Sequence, residues 1–192
     1  MNFITKLDFT VDLEKMREDL DDLLVHRPWP EEDFVRKFPG NQLGISYRKG
    51  AQDPWLDAQG NLWDNEKKCF VSEESDFSEI NSLVGDYTKS VLKRLEEVEN
   101  TKLGRIRYMK ADSKRGLSVH KDFDVRYHFV LYTNPYSYFI EDFARTGKTE
   151  EIVGNCYHLP ADGYCYKVDT TRNHTIYNGG WEPRIHLVIC KA

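Results

Sequence analysis

Arg126-Tyr127-His128-Phe129-Val130-Leu131-Tyr132-Thr133, then Asn134-Pro135, then Tyr136-Ser137-Tyr138-Phe139-Ile140: two aromatic and β-branched runs flank a turn dipeptide. This is the signature of two successive strands. The same grammar continues on both sides. Ile106, Tyr108 and Lys110 alternate with Arg107 and Met109. Further strands are expected around Leu117–His120, Glu151–His158, Tyr164–Val168, His174–Tyr177 and Arg184–Cys190, with turns at Pro160-Ala161-Asp162-Gly163 and Asn178-Gly179-Gly180. Many short strands at this spacing indicate a sandwich or barrel.

The first half carries the helices. Asp12 is placed to cap a helix with an apolar face of Leu13, Met16, Leu20, Leu23 and Leu24, ended by Arg27-Pro28 and Trp29-Pro30. A second amphipathic segment uses Ile80, Leu83, Val84, Tyr87, Val91, Leu92 and Leu95, with Ser78 as its cap and Gly85 weakening its start. Residues 28–78 between them are rich in Pro, Gly, Asp and Trp, with a short strand at Ile45-Ser46-Tyr47. They read equally as a binding loop or as plain surface connection. The expected fold is α+β, mainly β: a double-stranded β-helix (jelly roll, cupin-like) with supporting N-terminal helices. One domain over 1–192 is expected, with helical support in 1–100 and the jelly-roll core in 101–192.

Bulk properties narrow the function. The 192 residues are 40% hydrophobic and 31% charged, with a formal net charge of -5. The basic residues form no stripe, which argues against nucleic acid as a partner. No apolar stretch approaches membrane-spanning length, and Met1–Asp8 has no signal core, so a cytoplasmic protein without membrane contact is expected. Cys69, Cys156, Cys165 and Cys190 have no zinc spacing and are expected to stay reduced, rather than to form a Cys156–Cys165 cross-hairpin disulfide.

The chemistry is carried by His120-Lys121-Asp122, the distant His174, and Arg184 ten residues further on. On an extended strand His120 and Asp122 point to one face and so can share an ion. Two imidazoles and one carboxylate form the facial set of a non-haem Fe(II) oxygenase, which leaves coordination positions open. Zinc hydrolysis uses the same donors, so the ligand set alone does not select the metal. A single His-x-Asp occurs by chance in many proteins. The gathering of five histidines between positions 120 and 186 gives this one more weight.

Arg184 adds to it. In Arg184-Ile185-His186-Leu187-Val188, alternate residues share a face, and burying a guanidinium there is costly unless it meets an anion. Its fork suits a carboxylate. Arg126 and His128 repeat the arrangement on another strand. Two inward basic strands beside a metal suggest a dianionic ligand; ordinary ion pairs with some of the 32 acidic residues are the plainer reading.

Ser118-Val119-His120-Lys121-Asp122, Arg126-Tyr127-His128, Asp169 to His174, Asn178 and Arg184 together resemble the Fe(II)/2-oxoglutarate-dependent dioxygenases. The similarity is to the aspartyl/asparaginyl β-hydroxylase-like group, which includes small-molecule proline hydroxylases, and spans roughly residues 104–190. It implies that His120, Asp122 and His174 hold Fe(II). Arg184 would bind the distal carboxylate of 2-oxoglutarate, and Arg126 and His128 the metal-proximal end. Some members of the group lack the metal carboxylate, so the presence of Asp122 favours a three-ligand site. The implied reaction takes O2 and 2-oxoglutarate, releases succinate and CO2, and hydroxylates an amino acid, peptide or protein side chain. Arg172, Trp181 and the 41–66 segment with Arg48, Trp55 and Trp63 are candidate substrate contacts. Two other classes fit the residues. One is a cupin-like metal-dependent isomerase or hydrolase without 2-oxoglutarate; the other is a non-catalytic jelly roll that binds a small anion.

Overall fold

The structure is a computed structural model. It describes residues 2–30, 41–59, 62–64, 66–146 and 151–192, without the side chains of 142–146 and 151–153. In chain order the elements are β1 (Ile4–Thr10), α1 (Leu13–His26), β2 (Gln42–Gly44), β3 (Ser46–Tyr47), β4 (Trp63–Asp64), β5 (Cys69–Phe70), β6 (Glu79–Ile80) and α2 (Asp86–Glu99). There follow β7 (Leu103–Ala111), β8 (Arg115–Gly116), β9 (Arg126–Tyr132), β10 (Ser137–Thr146), β11 (Glu151–Tyr157), β12 (Tyr164–Val168), β13 (His174–Asn178) and β14 (Arg184–Lys191). Two compact units form. One holds Met1–Thr10 and Lys110–His186, the other Val11–Met109 and Leu187–Ala192.

The first unit is a pair of antiparallel sheets. One runs β1-β12-β9-β14; the other is β11-β10-β13-β8. Their inner faces supply the core: Phe3, Val130, Tyr166 and Val168 from one side, Phe139 and Ile176 from the other, with Ala111 and Leu159. This is the double-stranded β-helix expected from the strand pattern. The two quoted runs are β9 and β10, one in each sheet, and Asn134 builds the turn between them by accepting from the Tyr136 amide at 3.0 Å. β10 carries a bulge between Asp142 and Ala144. β1 was not legible in the sequence. Its polar alternation, Thr5, Lys6 and Asp8, gives only a partial pattern, and pairing with β12 makes it a strand.

The second unit holds the helices. Asp12 caps α1 as expected, accepting from the Lys15 amide at 3.3 Å, and Met16, Leu20 and Leu23 are buried. α2 differs from expectation: it starts at Asp86 rather than after Ser78. Glu79–Ile80 pairs instead with Ser46–Tyr47 as a strand, leaving Ile80 and Leu83 exposed. Gly85 is the N-cap, and Asp19 of α1 supplies the cap oxygen, accepting from the Thr88 amide at 2.6 Å. A Cβ at Gly85 would lie 2.0 Å from that carboxylate, so the glycine makes room for the cap. Of the 28–78 region, residues 31–40, 60, 61 and 65 lie outside the described residues. The remainder forms the short strands β2 to β6.

None of the four cysteines is in a disulfide; Cys165 and Cys190 are buried, Cys69 and Cys156 exposed. No helix is long and apolar enough to cross a membrane.

Candidate metal centre and anion site

His120, Asp122 and His174 come together. One donor atom from each lies within 4.8 Å of the others. His174 opens β13, and its backbone exchanges both hydrogen bonds with His120 at 2.9 Å. His120 is thus bridged to β13 without belonging to a longer strand, a correction to the strand expected over Leu117–His120. Asp122 lies beyond that bridge, just before a bend at Phe123 and Asp124, held by its amide to the Thr170 carbonyl at 2.8 Å. The convergence of the two donors therefore comes from these hydrogen bonds across to residues 170–174, rather than from strand alternation.

The imidazoles are oriented as ligands. His120 Nδ1 meets the Ser118 carbonyl at 2.8 Å, and His174 Nδ1 meets the Arg172 carbonyl at 2.9 Å. A carbonyl only accepts, so each Nδ1 carries the proton and each Nε2 presents its lone pair. Those Nε2 atoms lie 3.9 Å and 3.8 Å from the Asp122 carboxylate. Burial pushes His174 below the usual imidazole value, while its bond to the Arg172 carbonyl pulls the other way. Asp122 Oδ1 takes the Arg126 guanidinium at 2.7 Å, whereas Oδ2 is buried with no hydrogen-bond partner. The orphaned Oδ2 stands 3.8 Å from His174 Nε2, and a carboxylate oxygen without a partner beside an imidazole lone pair is what a bound cation would complete. The residues fit a metal with one carboxylate and two imidazole ligands.

A second cluster surrounds Arg184. Its guanidinium is buried, stands 4.9 Å above the Phe139 ring, and donates to His186 Nδ1 at 3.0 Å. Among the described residues no carboxylate pairs with it. Desolvation pulls it down to about 9, so it is still charged at neutral pH. His186 Nδ1 also lies 3.4 Å from His128 Nδ1, and the His128 ring meets Phe139 edge-on at 5.1 Å. His186 was not singled out from sequence; its signal was the same alternation that marked Arg184.

Two strands tie these clusters together. On β9, Arg126 holds the metal-site carboxylate, and His128, two residues on, belongs to the arginine cluster. On β10, Phe139 underlies Arg184, and Glu141 sits directly opposite His174 in the β13 register. Each step is two residues along one face, about 7 Å.

Other expected residues have different settings. Arg172 pairs with the buried Glu141, which also accepts from Tyr157 at 3.0 Å, so its guanidinium braces the segment leading into His174. Trp181 is 80% exposed, with Lys114 over its ring. Arg48 belongs to the second unit and is bound by Asp57 through its side chain and amide. Trp63 packs edge-on to Phe70. Asn178 is fully buried and knits the β13–β14 turn to the carbonyls of Ala111, Asp112 and Glu182, a supporting part that sets where Arg184 begins.

Residues 14–190 match the family described as Aspartyl/Asparaginyl beta-hydroxylase. The chain belongs to this family. Members of the aspartyl/asparaginyl β-hydroxylase family are its kin. Among solved structures the chain is similar to a prolyl-4-hydroxylase from Pseudomonas putida, at 10% identity over 100% of this chain and 92% of that one, with a TM-score of 0.54. It is also similar to IDO from Bacillus thuringiensis, at 12% identity over 100% and 90%, with a TM-score of 0.50. At these identities the likeness is one of fold. An oxidoreductase of the 2OG-Fe(II) oxygenase family from Burkholderia pseudomallei matches at 13% identity over 55% of this chain, with a TM-score of 0.41, and the match spans only 56% of that protein's length. No curated protein matches the chain in sequence.

Proposed function

We propose that this β-hydroxylase family member is an Fe(II)- and 2-oxoglutarate-dependent oxygenase that hydroxylates an amino acid, peptide or protein side chain. The observation that carries the reading is the linkage of the two clusters along two strands. A three-donor metal site and a buried arginine lacking a described carboxylate partner are joined by the same 7 Å step on two strands. A dicarboxylate with its 2-oxo acid end at the metal would have its other carboxylate available to Arg184.

His120, Asp122 and His174 would hold Fe(II), leaving one face of the ion open. When bound, Fe(II) with 2-oxoglutarate supplies an oxidant from O2, releasing succinate and CO2. The protein's own residues do the positioning. The Ser118 and Arg172 carbonyls fix both imidazole rings. Arg126 on Asp122 Oδ1 leaves Oδ2 for the ion. Arg184 offers a desolvated positive charge to the distal carboxylate, where the low dielectric strengthens the attraction. Phe139 forms a flat floor beneath it and excludes water. A small-molecule or peptide substrate is the partner this reading requires.

The test is anaerobic loading with Fe(II) and 2-oxoglutarate, followed by admission of O2 and a screen of amino acids and peptides for coupled succinate release. Asp122→Ala is expected to lower metal affinity by more than about 100-fold, beyond what loss of an outer partner costs. Unchanged metal affinity would rule out the triad. Metal binding without any 2-oxoglutarate turnover would point instead to a cupin-like isomerase or hydrolase.

A further inference from the structure

We infer that His186 is the positioning residue for Arg184: its Nδ1 lone pair fixes the guanidinium that receives the distal carboxylate. The inference rests on the co-substrate reading of Arg184 and adds a residue to it.

A guanidinium carries only donors. The 3.0 Å contact from Arg184 to His186 Nδ1 therefore requires a bare Nδ1, and the ring proton must sit on Nε2. His128 Nδ1, 3.4 Å from the same atom, is then the donor of that pair. Both contacts converge on one acceptor, which leaves His186 a neutral ring in a single tautomer.

The environment enforces that state. His186 is fully buried, and burial, followed by the charges of Arg184, His128 and His158, holds it well below the usual imidazole value. A second proton on Nδ1 would confront the guanidinium head-on. The fold also retains His186 at a cost: its Nε2 is buried without a hydrogen-bond partner. An aliphatic side chain would carry no orphaned donor, so a merely space-filling role is a poor account of a histidine here. What histidine supplies, and leucine cannot, is the acceptor at Nδ1.

Without that acceptor nothing described in the structure fixes the guanidinium in its plane except the Phe139 ring, which attracts a cation without fixing its rotation. Arg184 would turn, and its fork would meet the carboxylate in fewer orientations. The acceptor therefore contributes to affinity by removing that freedom before the ligand arrives.

Asn and Leu separate the roles of the ring. In His186→Asn the amide oxygen stands in for Nδ1; in His186→Leu volume is kept and the acceptor is lost. The measurement is calorimetric titration of 2-oxoglutarate into Mn(II)-loaded protein. His186→Leu is expected to raise Kd about tenfold, the worth of one hydrogen bond to a charged group. His186→Asn is expected to stay within about threefold of wild type. In an Arg184→Ala background, His186→Leu should change Kd no further, because the two act as one unit. Wild-type affinity in His186→Leu overturns the inference alone. So does a further loss of affinity in the Arg184→Ala background, which would mean that His186 touches the ligand directly. Failure of the wild-type protein to bind 2-oxoglutarate, or indifference to Arg184→Ala, overturns the co-substrate reading and this inference with it. Nitrogen-15 NMR of the Zn(II)-loaded wild-type protein is independent of variant folding. A neutral Nε2–H ring for His186 is expected at pH 7, and an Nδ1–H or doubly protonated ring overturns the assignment.

Discussion

Arg105 and Arg184 are buried to nearly the same degree, at 4% and 5% exposure. Each stands over a phenylalanine, Arg105 over Phe77 and Arg184 over Phe139. They differ in what they are bonded to. Arg105 is held in a fork by Glu74, with contacts of 3.1 Å and 2.9 Å. Arg184 has a neutral imidazole in the equivalent role and no described carboxylate. A buried guanidinium that brings its own carboxylate is a finished structural element. One that rests on a neutral acceptor has its charge solvated only in part and is suited to an anion from outside. Burial alone, the quantity readable from strand alternation, does not tell the two apart.

The largest effect expected is on ligand binding at Arg184. Arg184→Ala should weaken 2-oxoglutarate binding by about 2–5 kcal/mol, roughly 30-fold to several thousand-fold in Kd. Arg184→Met should do the same while leaving folding stability unchanged or raised, since a partly solvated buried charge is replaced by an apolar chain of similar length. Urea unfolding of the unliganded protein checks the second half. If Arg184→Met unfolded the protein, Arg184 would be a structural arginine like Arg105, and the comparison would collapse.

Glu74 provides the opposite test. Glu74→Ala strands the Arg105 charge and should cost about 3 kcal/mol, the low end of the range for a broken buried pair, because the Glu74 side chain keeps 22% exposure. For a chain of this length that is roughly 6–12 °C in Tm. Thermal melting checks it, and metal affinity of the folded variant should not move. A loss of metal affinity at temperatures where the variant is folded would mean that Arg105 serves the site.

These two arginines also show why the sequence could be read as far as it was. The strands from β7 onward were legible because their apolar alternation is strong and their turns carry Asn, Gly and Pro. Arg184 was legible as a buried cation because it sits in such a strand. Its acceptor His186 lies on the same face and was passed over, since alternation says which residues share a face and nothing about which atoms bond. The three candidate metal donors stand out by type and spacing, though their convergence depends on the amide of Asp122 reaching Thr170. No local pattern encodes a bond across that distance in the chain. The ion pair of Arg172 was illegible in the same way: its partner Glu141 belongs to a strand 31 positions earlier and meets it only after β10 pairs with β13. The start of α2 was misplaced because its cap oxygen comes from Asp19 on another helix.

The smallest expected effect concerns pH, and it sharpens the same contrast. Arg105 rests on a carboxylate; Arg184 rests on a ring that can take a proton. In the unfolded chain His186 titrates near 6.5, about the usual histidine value, while burial and the neighbouring charges of Arg184, His128 and His158 hold its folded value well below that. The folded state therefore binds fewer protons than the unfolded state as pH falls through this range. The stability tied to a neutral His186 is present in full above pH ~6.5 and is lost as pH falls toward its folded value, by at most about 1.4 kcal/mol per pH unit. His174 is shifted in the same direction by its own burial, so the wild-type curve alone does not isolate His186. The difference between wild type and His186→Asn does. In metal-free protein, urea unfolding between pH 5 and 7 should show a shallower loss toward acid in the Asn variant. Parallel curves would mean that His186 accepts a proton in the folded state, and a protonated ring cannot be the acceptor on which Arg184 rests.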